Sequence, residues 1–127
     1  MNTLVSIILP SYNNADTIIE TLQSIEKQTY RNMEVIIVDD GSQDNLKLIL
    51  EEYQSNSSLN ITYHYQENAG PSVARNQGVT IANGEFLLFV DADDRIHESY
   101  VAKGVQILEE NQDINIVYAD AEFFGAT

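Results

Sequence analysis

The sequence predicts an α/β fold in which a doubly wound, mainly parallel sheet carries helices on both faces. Apolar runs of strand length alternate along the chain with segments whose apolar residues recur at helical spacing. Most strand-like runs are apolar at nearly every position, as expected when both faces of a parallel sheet are covered. A length of 127 residues corresponds to a single domain with its own core.

Five segments are predicted as strands because they are short, apolar and bounded by polar or turn-forming residues. The third segment alternates and is rich in β-branched and aromatic residues, so we expect it at an edge of the sheet. The fourth segment is apolar throughout, and we expect it in the centre. The five segments are 4–10, 33–40, 60–66, 86–90 and 114–120.

Four helices are predicted between these strands from apolar residues spaced three and four positions apart. Asn14 or Asp16 is a candidate N-cap of the first helix, and Asp44 is a candidate N-cap of the second. The third helix is expected over 72–82. The apolar stripes are Ile18, Ile19, Leu22 and Ile25; Leu46, Ile49, Leu50 and Tyr53; Ala74, Gly78, Ile81 and Ala82; and Val101, Gly104, Val105 and Leu108.

The chain is strongly acidic, with 20 Asp and Glu against 6 Lys and Arg and a formal net charge of −14. Such a surface repels phosphate backbones, so nucleic acid is not expected as a partner, and an anionic substrate is expected to arrive with a cation. Alternatively, the acidic surface only keeps the protein soluble. We find no signal peptide and no apolar run near the roughly 20 residues of a membrane span, so we expect a cytoplasmic location.

Polar residues collect directly after the predicted strands. In open parallel sheets, ligands bind beyond the carboxyl ends of the strands, so these residues are candidates for a site. The chain has no cysteine, which excludes a thiolate metal site. The candidates are Pro10, Ser11, Tyr12, Asn13 and Asn14; Asp39, Asp40, Gly41, Ser42 and Asp44; Glu67, Asn68, Ala69 and Gly70; and Asp91, Asp93 and Asp94.

Asp91 and Asp93 are spaced so that both carboxylates can point into one cleft from an irregular turn. Hard oxygen ligands suit Mg²⁺ or Mn²⁺, which commonly bind one or two carboxylates together with substrate phosphates. The alternative is a solvated turn in which Asp94 caps the next helix.

Three further features each have a functional and a structural interpretation. Asp39 or Asp40 could accept hydrogen bonds from a base or a ribose, or could belong to a polar turn. Arg75 lies near the start of a helix, where a cation is unfavourable, so either an anionic ligand or a surface salt bridge is indicated. Tyr12 could stack on a base or pack against the protein.

Four ordered motifs resemble the nucleotide-binding half of the family-2 glycosyltransferases, which have the Rossmann-like GT-A fold. The motifs are "VSIILPSYNN", "EVIIVDDGSQD", "NAGPSVARNQGV" and "GEFLLFVDADD". The resemblance implies a divalent metal, Mn²⁺ or Mg²⁺, held at the D-x-D motif together with the diphosphate of a nucleotide-sugar, usually a UDP-sugar. Asp91 and Asp93 would be the metal residues, with Asp93 the more direct ligand.

The resemblance also assigns roles around the nucleotide. Asp39 would hydrogen-bond the uracil ring with Asp40 beside it, and Arg75 would contact the diphosphate. The nucleotide-binding residues that it implies are Pro10, Tyr12, Asn13, Asp39, Asp40, Ser42, Arg75, Asn76, Asp91 and Ala92.

The resemblance further implies an inverting transfer of a hexosyl or N-acetylhexosaminyl group to a hydroxyl of a glycan or lipid-linked glycan. It allows peripheral association of a longer enzyme with the membrane. The acceptor half and its general base would follow the D-x-D motif, so residues 1–127 are expected to be a donor-binding part that is inactive alone. A receiver-like domain and an inactive nucleotide-binding module are the alternatives. A receiver needs a late lysine beside an acidic pocket, whereas Lys103 falls inside the fourth predicted helix.

Overall fold

The computed structural model describes residues 2–113, in which four strands and four helices alternate strictly. The predicted strand at 114–120 and the segment 121–127 lie outside the described residues. The sheet has the order β3-β2-β1-β4, and every neighbouring pair is parallel. The predicted α/β class is confirmed. The elements are β1 Val5–Ser11, α1 Ile18–Glu26, β2 Met33–Asp40, α2 Leu46–Gln54, β3 Ile61–Gln66, α3 Pro71–Ile81, β4 Phe86–Phe89 and α4 Tyr100–Glu110.

The two central strands, β1 and β2, are the most buried part of the described sheet. All eight residues of β2 are buried, because helices cover both of its faces. The strands are in register so that Ser11 lies opposite Asp39, and Asp39 in turn lies opposite Tyr65. The carboxyl ends of the first three strands are therefore aligned, which brings the loops that follow them to one edge.

The two faces of the sheet are covered by different helices. On one face, α1, α2 and α4 pack on the main core. On the other face, α3 packs on the central strands through Ala74 and Gly78, where it meets Ile8, Ile36 and Val38. The approach of α3 is close, since a Cβ at Gly78 would lie 2.4 Å from Ile8 Cγ2. The expectation of helices on both faces is confirmed.

The outer strands of the described sheet are β3 and β4. β3 lies at an edge, as predicted. β4 was expected in the centre, but within residues 2–113 it pairs only with β1 and lies at the opposite edge. Its residues Leu87 and Phe89 are exposed by 41% and 46%, whereas Phe86 and Leu88 pack on the main core. The predicted fifth strand, at 114–120, lies outside the described residues, so the expectation of a central β4 stays a prediction.

The observed N-caps of three helices differ from the predicted ones. α1 has Thr17 at its N-cap, so neither Asn14 nor Asp16 holds that position. The N-cap position of α2 is held by Asn45, although the carboxylate of the predicted Asp44 does accept the amide of the first helical residue, Leu46, at 3.2 Å. Ser99 holds the N-cap of α4, so Asp94 does not cap this helix. The predicted and observed N-caps differ because a loop of several residues lies between the end of each strand and the start of the next helix. No helix within residues 2–113 is long and apolar enough to cross a membrane.

Candidate functional site

The loops after β1 and β2 are joined by reciprocal hydrogen bonds at the carboxyl edge of the sheet. The Asn13 amide donates to Ser42 Oγ at 2.9 Å, and the Gln43 amide donates to Asn13 Oδ1 at 2.8 Å. Asn13 has a left-handed φ of 54°, which asparagine tolerates better than most residues. Asp44 adds a further link, because its carboxylate accepts the amides of Ala15 and Leu46. The two loops therefore form one rigid wall.

Asp39 lies at the end of β2 and is only 3% exposed. Its Oδ1 accepts the Ser42 amide at 2.8 Å, and its Oδ2 accepts the Tyr63 hydroxyl at 2.5 Å. Burial and the bond to Asp39 both raise the pKa of Tyr63, so this hydroxyl stays protonated as a donor. An ionised carboxylate has about four lone-pair sites, so Asp39 retains capacity to accept a further hydrogen bond.

Sequence reasoning did not identify Tyr63, although it predicted the strand that carries it. Tyr63 lies opposite Ile37, and Tyr65 lies opposite Asp39. The hydroxyl of Tyr63 thus reaches Asp39 diagonally across two neighbouring strands. Such a pair can be proposed only when the register between β2 and β3 is known, because the residue that Tyr63 reaches is two positions along the neighbouring strand from the one opposite it.

Asp40 points to the opposite face of the sheet from Asp39, because successive side chains of a strand alternate. Its carboxylate, 4% exposed, accepts hydrogen bonds from the Gln66 and Asn68 side chains and from the Ala69 and Gly70 amides at 2.7–3.3 Å. Burial alone raises the pKa of Asp40, but its hydrogen bonds outweigh that effect and hold the pKa below its usual value. Asp40 therefore anchors the loop before α3.

Three exposed carboxylates, Asp91, Asp93 and Asp94, form an acidic cluster after β4. One carboxylate oxygen from each lies within 4.8 Å of the others. Burial, and then the charges of Asp93 and Asp91, raise the pKa of Asp94, so the cluster favours a bound positive charge. Because the donor set consists of hard oxygens, it fits Mg²⁺ or Mn²⁺. Sequence reasoning named Asp91 and Asp93 for this role, and the structure places Asp94 with them.

Arg75 belongs to α3 and lies beside the acidic cluster. Its Nη2 is 3.5 Å from Asp91 Oδ1, and the two side chains are 40% and 57% exposed. An ion pair this long and exposed contributes little stability, so Arg75 is free to turn to an anionic ligand. Asn76 follows it on the exposed surface of the same helix. The structure thus brings the predicted phosphate contact and the predicted metal residues together.

The remaining predicted residues line the same edge. Tyr12 is 48% exposed directly after β1, and Pro10 and Ser42 are half-buried. Ala92 is buried, and its carbonyl accepts the Thr17 hydroxyl at 3.0 Å. This bond ties the loop after β1 to the acidic loop, so the strand-end loops form a connected rim.

A parallel α/β sheet with acidic residues at its carboxyl edge is the arrangement expected of a GT-A fold, and it is also expected of a receiver domain, so comparison with known proteins decides between them. The sequence profile named "Glycosyl transferase family 2" matches residues 6–125. The chain belongs to this family, so the resemblance inferred from the four motifs is confirmed. Family membership also sets aside the receiver-like alternative.

Curated relatives are glycosyltransferases. Glycosyltransferase GlyG of Streptococcus pneumoniae is 34% identical over 117 residues, which is 92% of this chain and 38% of that protein. The uncharacterized glycosyltransferase YibD of Escherichia coli is 38% identical over 116 residues, which is 91% of this chain and 33% of that protein. The chain therefore spans well under half the length of these relatives.

Solved structures share the fold. TarS of Staphylococcus aureus, residues 1–349 in complex with UDP, superposes with a TM-score of 0.78 and 36% identity over 85% of this chain and 32% of that one. Mannosyltransferase PcManGT of Pyrobaculum calidifontis, in complex with GDP-Man and Mn²⁺, has a TM-score of 0.80 and 29% identity over 85% of this chain and 33% of that one. The predicted GT-A fold is confirmed.

Proposed function

We propose that residues 1–127 form the donor-binding part of a glycosyltransferase that moves a sugar from a UDP-sugar to an acceptor hydroxyl. The observation that carries this proposal is the grouping of three carboxylates, Asp91, Asp93 and Asp94, beside the cationic Arg75 at the carboxyl edge of the sheet. In such a site the carboxylates would bind a divalent metal, and Arg75 would bind the diphosphate that the metal accompanies.

Asp91 and Asp93 would hold the metal, Mn²⁺ or Mg²⁺. When bound, this metal supplies Lewis-acid stabilisation of the departing nucleoside diphosphate. Arg75 turns from Asp91 towards the diphosphate and adds a charge-assisted contact, with Asn76 next to it. The Mn²⁺ in the PcManGT complex supports a divalent metal at an acidic cluster of this kind.

The nucleotide base would lie against the wall formed by the first two loops. Asp39 keeps lone pairs that can accept the ring N–H of uracil, and the exposed ring of Tyr12 can stack on the base. The other residues assigned to the nucleotide on this rim are Pro10, Asn13, Ser42 and Ala92. Asp40, whose side chain points to the opposite face of the sheet, would act by holding the loop before α3. The UDP bound to TarS supports a uridine donor.

Membership of the family supports a proposal for the reaction class. We assign an inverting transfer of a hexosyl or N-acetylhexosaminyl group to a glycan or lipid-linked glycan, on the cytoplasmic side of the cell envelope. The acceptor's proton would be taken by a general base in a part of the enzyme beyond these residues. The relatives GlyG and YibD are more than twice as long as the part that this chain matches, which supports an acceptor-binding part separate from these residues.

Thermal unfolding with UDP, with Mn²⁺ and with both together tests the proposal. At 100 times the dissociation constant, a bound ligand adds about 2.7 kcal/mol to the free energy of unfolding, so UDP with Mn²⁺ should raise the melting temperature. Asp93→Ala should lose the part of the shift that depends on Mn²⁺. Glu52→Ala, which removes an exposed carboxylate from α2, should keep it. An unchanged wild-type melting temperature with UDP and Mn²⁺ would refute the proposal.

A further inference from the structure

We propose that Tyr63 is a positioning residue for base recognition, which holds the carboxylate of Asp39 in the orientation that accepts the N–H of uracil. This inference rests on the proposed function, in which Asp39 meets the base. Tyr63 itself does not touch the nucleotide in this proposal, because its hydroxyl is directed to Asp39.

The geometry leaves the carboxylate of Asp39 little freedom. One oxygen accepts the Ser42 amide at 2.8 Å, and the other accepts the Tyr63 hydroxyl at 2.5 Å. Two donors from different elements, one on each oxygen, fix both the position and the plane of the group. The amide of Ser42 is part of the backbone and cannot follow a rotated carboxylate. The Ser42 amide thus fixes Oδ1, and the Tyr63 hydroxyl holds Oδ2, so that without this hydroxyl the carboxylate could rotate while Oδ1 keeps its bond to Ser42.

The chemistry of the pair explains why its orientation matters for specificity. Asp39 is 3% exposed, so water cannot readily replace a lost donor. Its unused lone pairs point in directions that the two existing hydrogen bonds define. A ring N–H, as in uracil, can donate to such a lone pair, whereas the unprotonated ring nitrogen of cytosine would face it with a lone pair of its own. A correctly oriented Asp39 thus favours uracil over cytosine.

Tyr63→Phe tests this role because it removes a single oxygen atom and keeps the ring that packs on the core. Tyr65→Phe is the matched control, since Tyr65 lies two residues along the same strand and is 55% exposed. Calorimetry would measure the affinity of the wild-type chain and both variants for UDP and for CDP, each with Mn²⁺.

We expect Tyr63→Phe to reduce the preference for UDP over CDP by about tenfold, mainly through weaker UDP binding, because a hydrogen bond to a charged group is lost. Tyr65→Phe should leave the preference unchanged. An equal loss of both nucleotides in Tyr63→Phe would indicate a merely structural role and overturn the proposal.

A double-mutant cycle with Asp39→Asn tests whether Tyr63 acts through Asp39. In the Asp39→Asn background, Tyr63→Phe should cause no further loss of UDP affinity, and additive losses would contradict the proposal. The same cycle in urea unfolding, without nucleotide, should show coupling between the two residues, and its absence would overturn the inferred contact. A wild-type chain that binds neither nucleotide but retains this coupling would refute the proposed function, and base recognition with it, and leave the contact itself confirmed.

Discussion

Replacing Asp40 by alanine should destabilise the chain far more than removing an exposed carboxylate. The side chain of Asp40 is 4% exposed and accepts hydrogen bonds from four donors. These donors are the side chains of Gln66 and Asn68 and the amides of Ala69 and Gly70, at 2.9, 3.3, 2.7 and 3.0 Å respectively. Gln66 ends β3, and the other three donors belong to the loop that leads into α3, so the substitution releases the start of that helix.

The size of the destabilisation by Asp40→Ala depends on which of the four donors can hydrogen-bond to water once the carboxylate is removed. Asn68 and Ala69 are exposed and regain solvent hydrogen bonds, whereas Gln66 and Gly70 are half-buried. A buried donor left without a partner costs about 1–3 kcal/mol. Two such donors with partial access to water predict a loss of about 2–4 kcal/mol in the free energy of unfolding for Asp40→Ala.

The effect should depend on pH in a defined direction. The folded-state pKa of Asp40 lies below the ordinary 3.8, because its hydrogen bonds outweigh the effect of burial. A group with a lowered pKa stabilises the fold fully above its unfolded pKa and loses that contribution as the pH falls through the folded pKa. The difference between the wild-type chain and Asp40→Ala should therefore be constant above about pH 5 and shrink below pH 4.

Urea denaturation followed by far-ultraviolet circular dichroism measures this difference, since the chain has no tryptophan. Glu67→Ala is the control, because Glu67 is an exposed carboxylate in the same loop and its loss should change the free energy of unfolding by less than about 0.5 kcal/mol. The reasoning fails if Asp40→Ala matches Glu67→Ala at pH 7. It also fails if the gap to wild type is unchanged between pH 7 and pH 3.

Two further predictions concern packing and turnover. Gly78→Ala should destabilise the chain by about 1–3 kcal/mol, because the new Cβ would lie 2.4 Å from Cγ2 of the buried Ile8. Gly104→Ala should be neutral or stabilising by up to about 1 kcal/mol, since no atom of residues 2–113 lies within 4 Å of its Cβ position in α4. Equal melting temperatures for the two variants would contradict this reasoning. The 127-residue chain should transfer little or no sugar from UDP-sugars to any acceptor, because the expected general base lies outside it, and robust product formation in a glycan-transfer assay would contradict that view.

The order of elements was predictable from the sequence because helical and strand periods are local. The stripe Leu46, Ile49, Leu50 and Tyr53, for example, lies on one helix, whose buried residues include Leu46 and Leu50. Helix starts were less predictable, since the N-caps Asn45 and Ser99 follow loops whose length the pattern does not reveal. The central position expected for β4 stays a prediction, because its second neighbour would come from the predicted strand at 114–120, which lies outside the described residues.

Some features of the candidate site were likewise predictable from the sequence, and others were not. The motifs alone indicated Asp91 and Asp93 as an acidic pair and Arg75 as a cation near a helix start. The proximity of Arg75 to Asp91, at 3.5 Å, and the position of Asp94 within the cluster depend on how α3 and the loop after β4 are placed. The contact between Arg75 and Asp91 joins two separate elements, and no local pattern specifies it. Asp94 meets Asp91 within one turn, in which the Asp94 amide donates to the Asp91 carbonyl at 3.0 Å, and only the structure shows that turn.

Asp39 and Asp40 show what the sequence by itself determined and what only the tertiary structure decided. The sequence determined that two acids end the second strand, and that their side chains point to opposite faces because strands alternate with a period of two. The structure decided that Asp39 meets Tyr63 and Ser42, and that Asp40 binds the segment before α3. These partners depend on strand register and loop packing, which are set by the burial of the whole core and not by the neighbours of a residue along the chain.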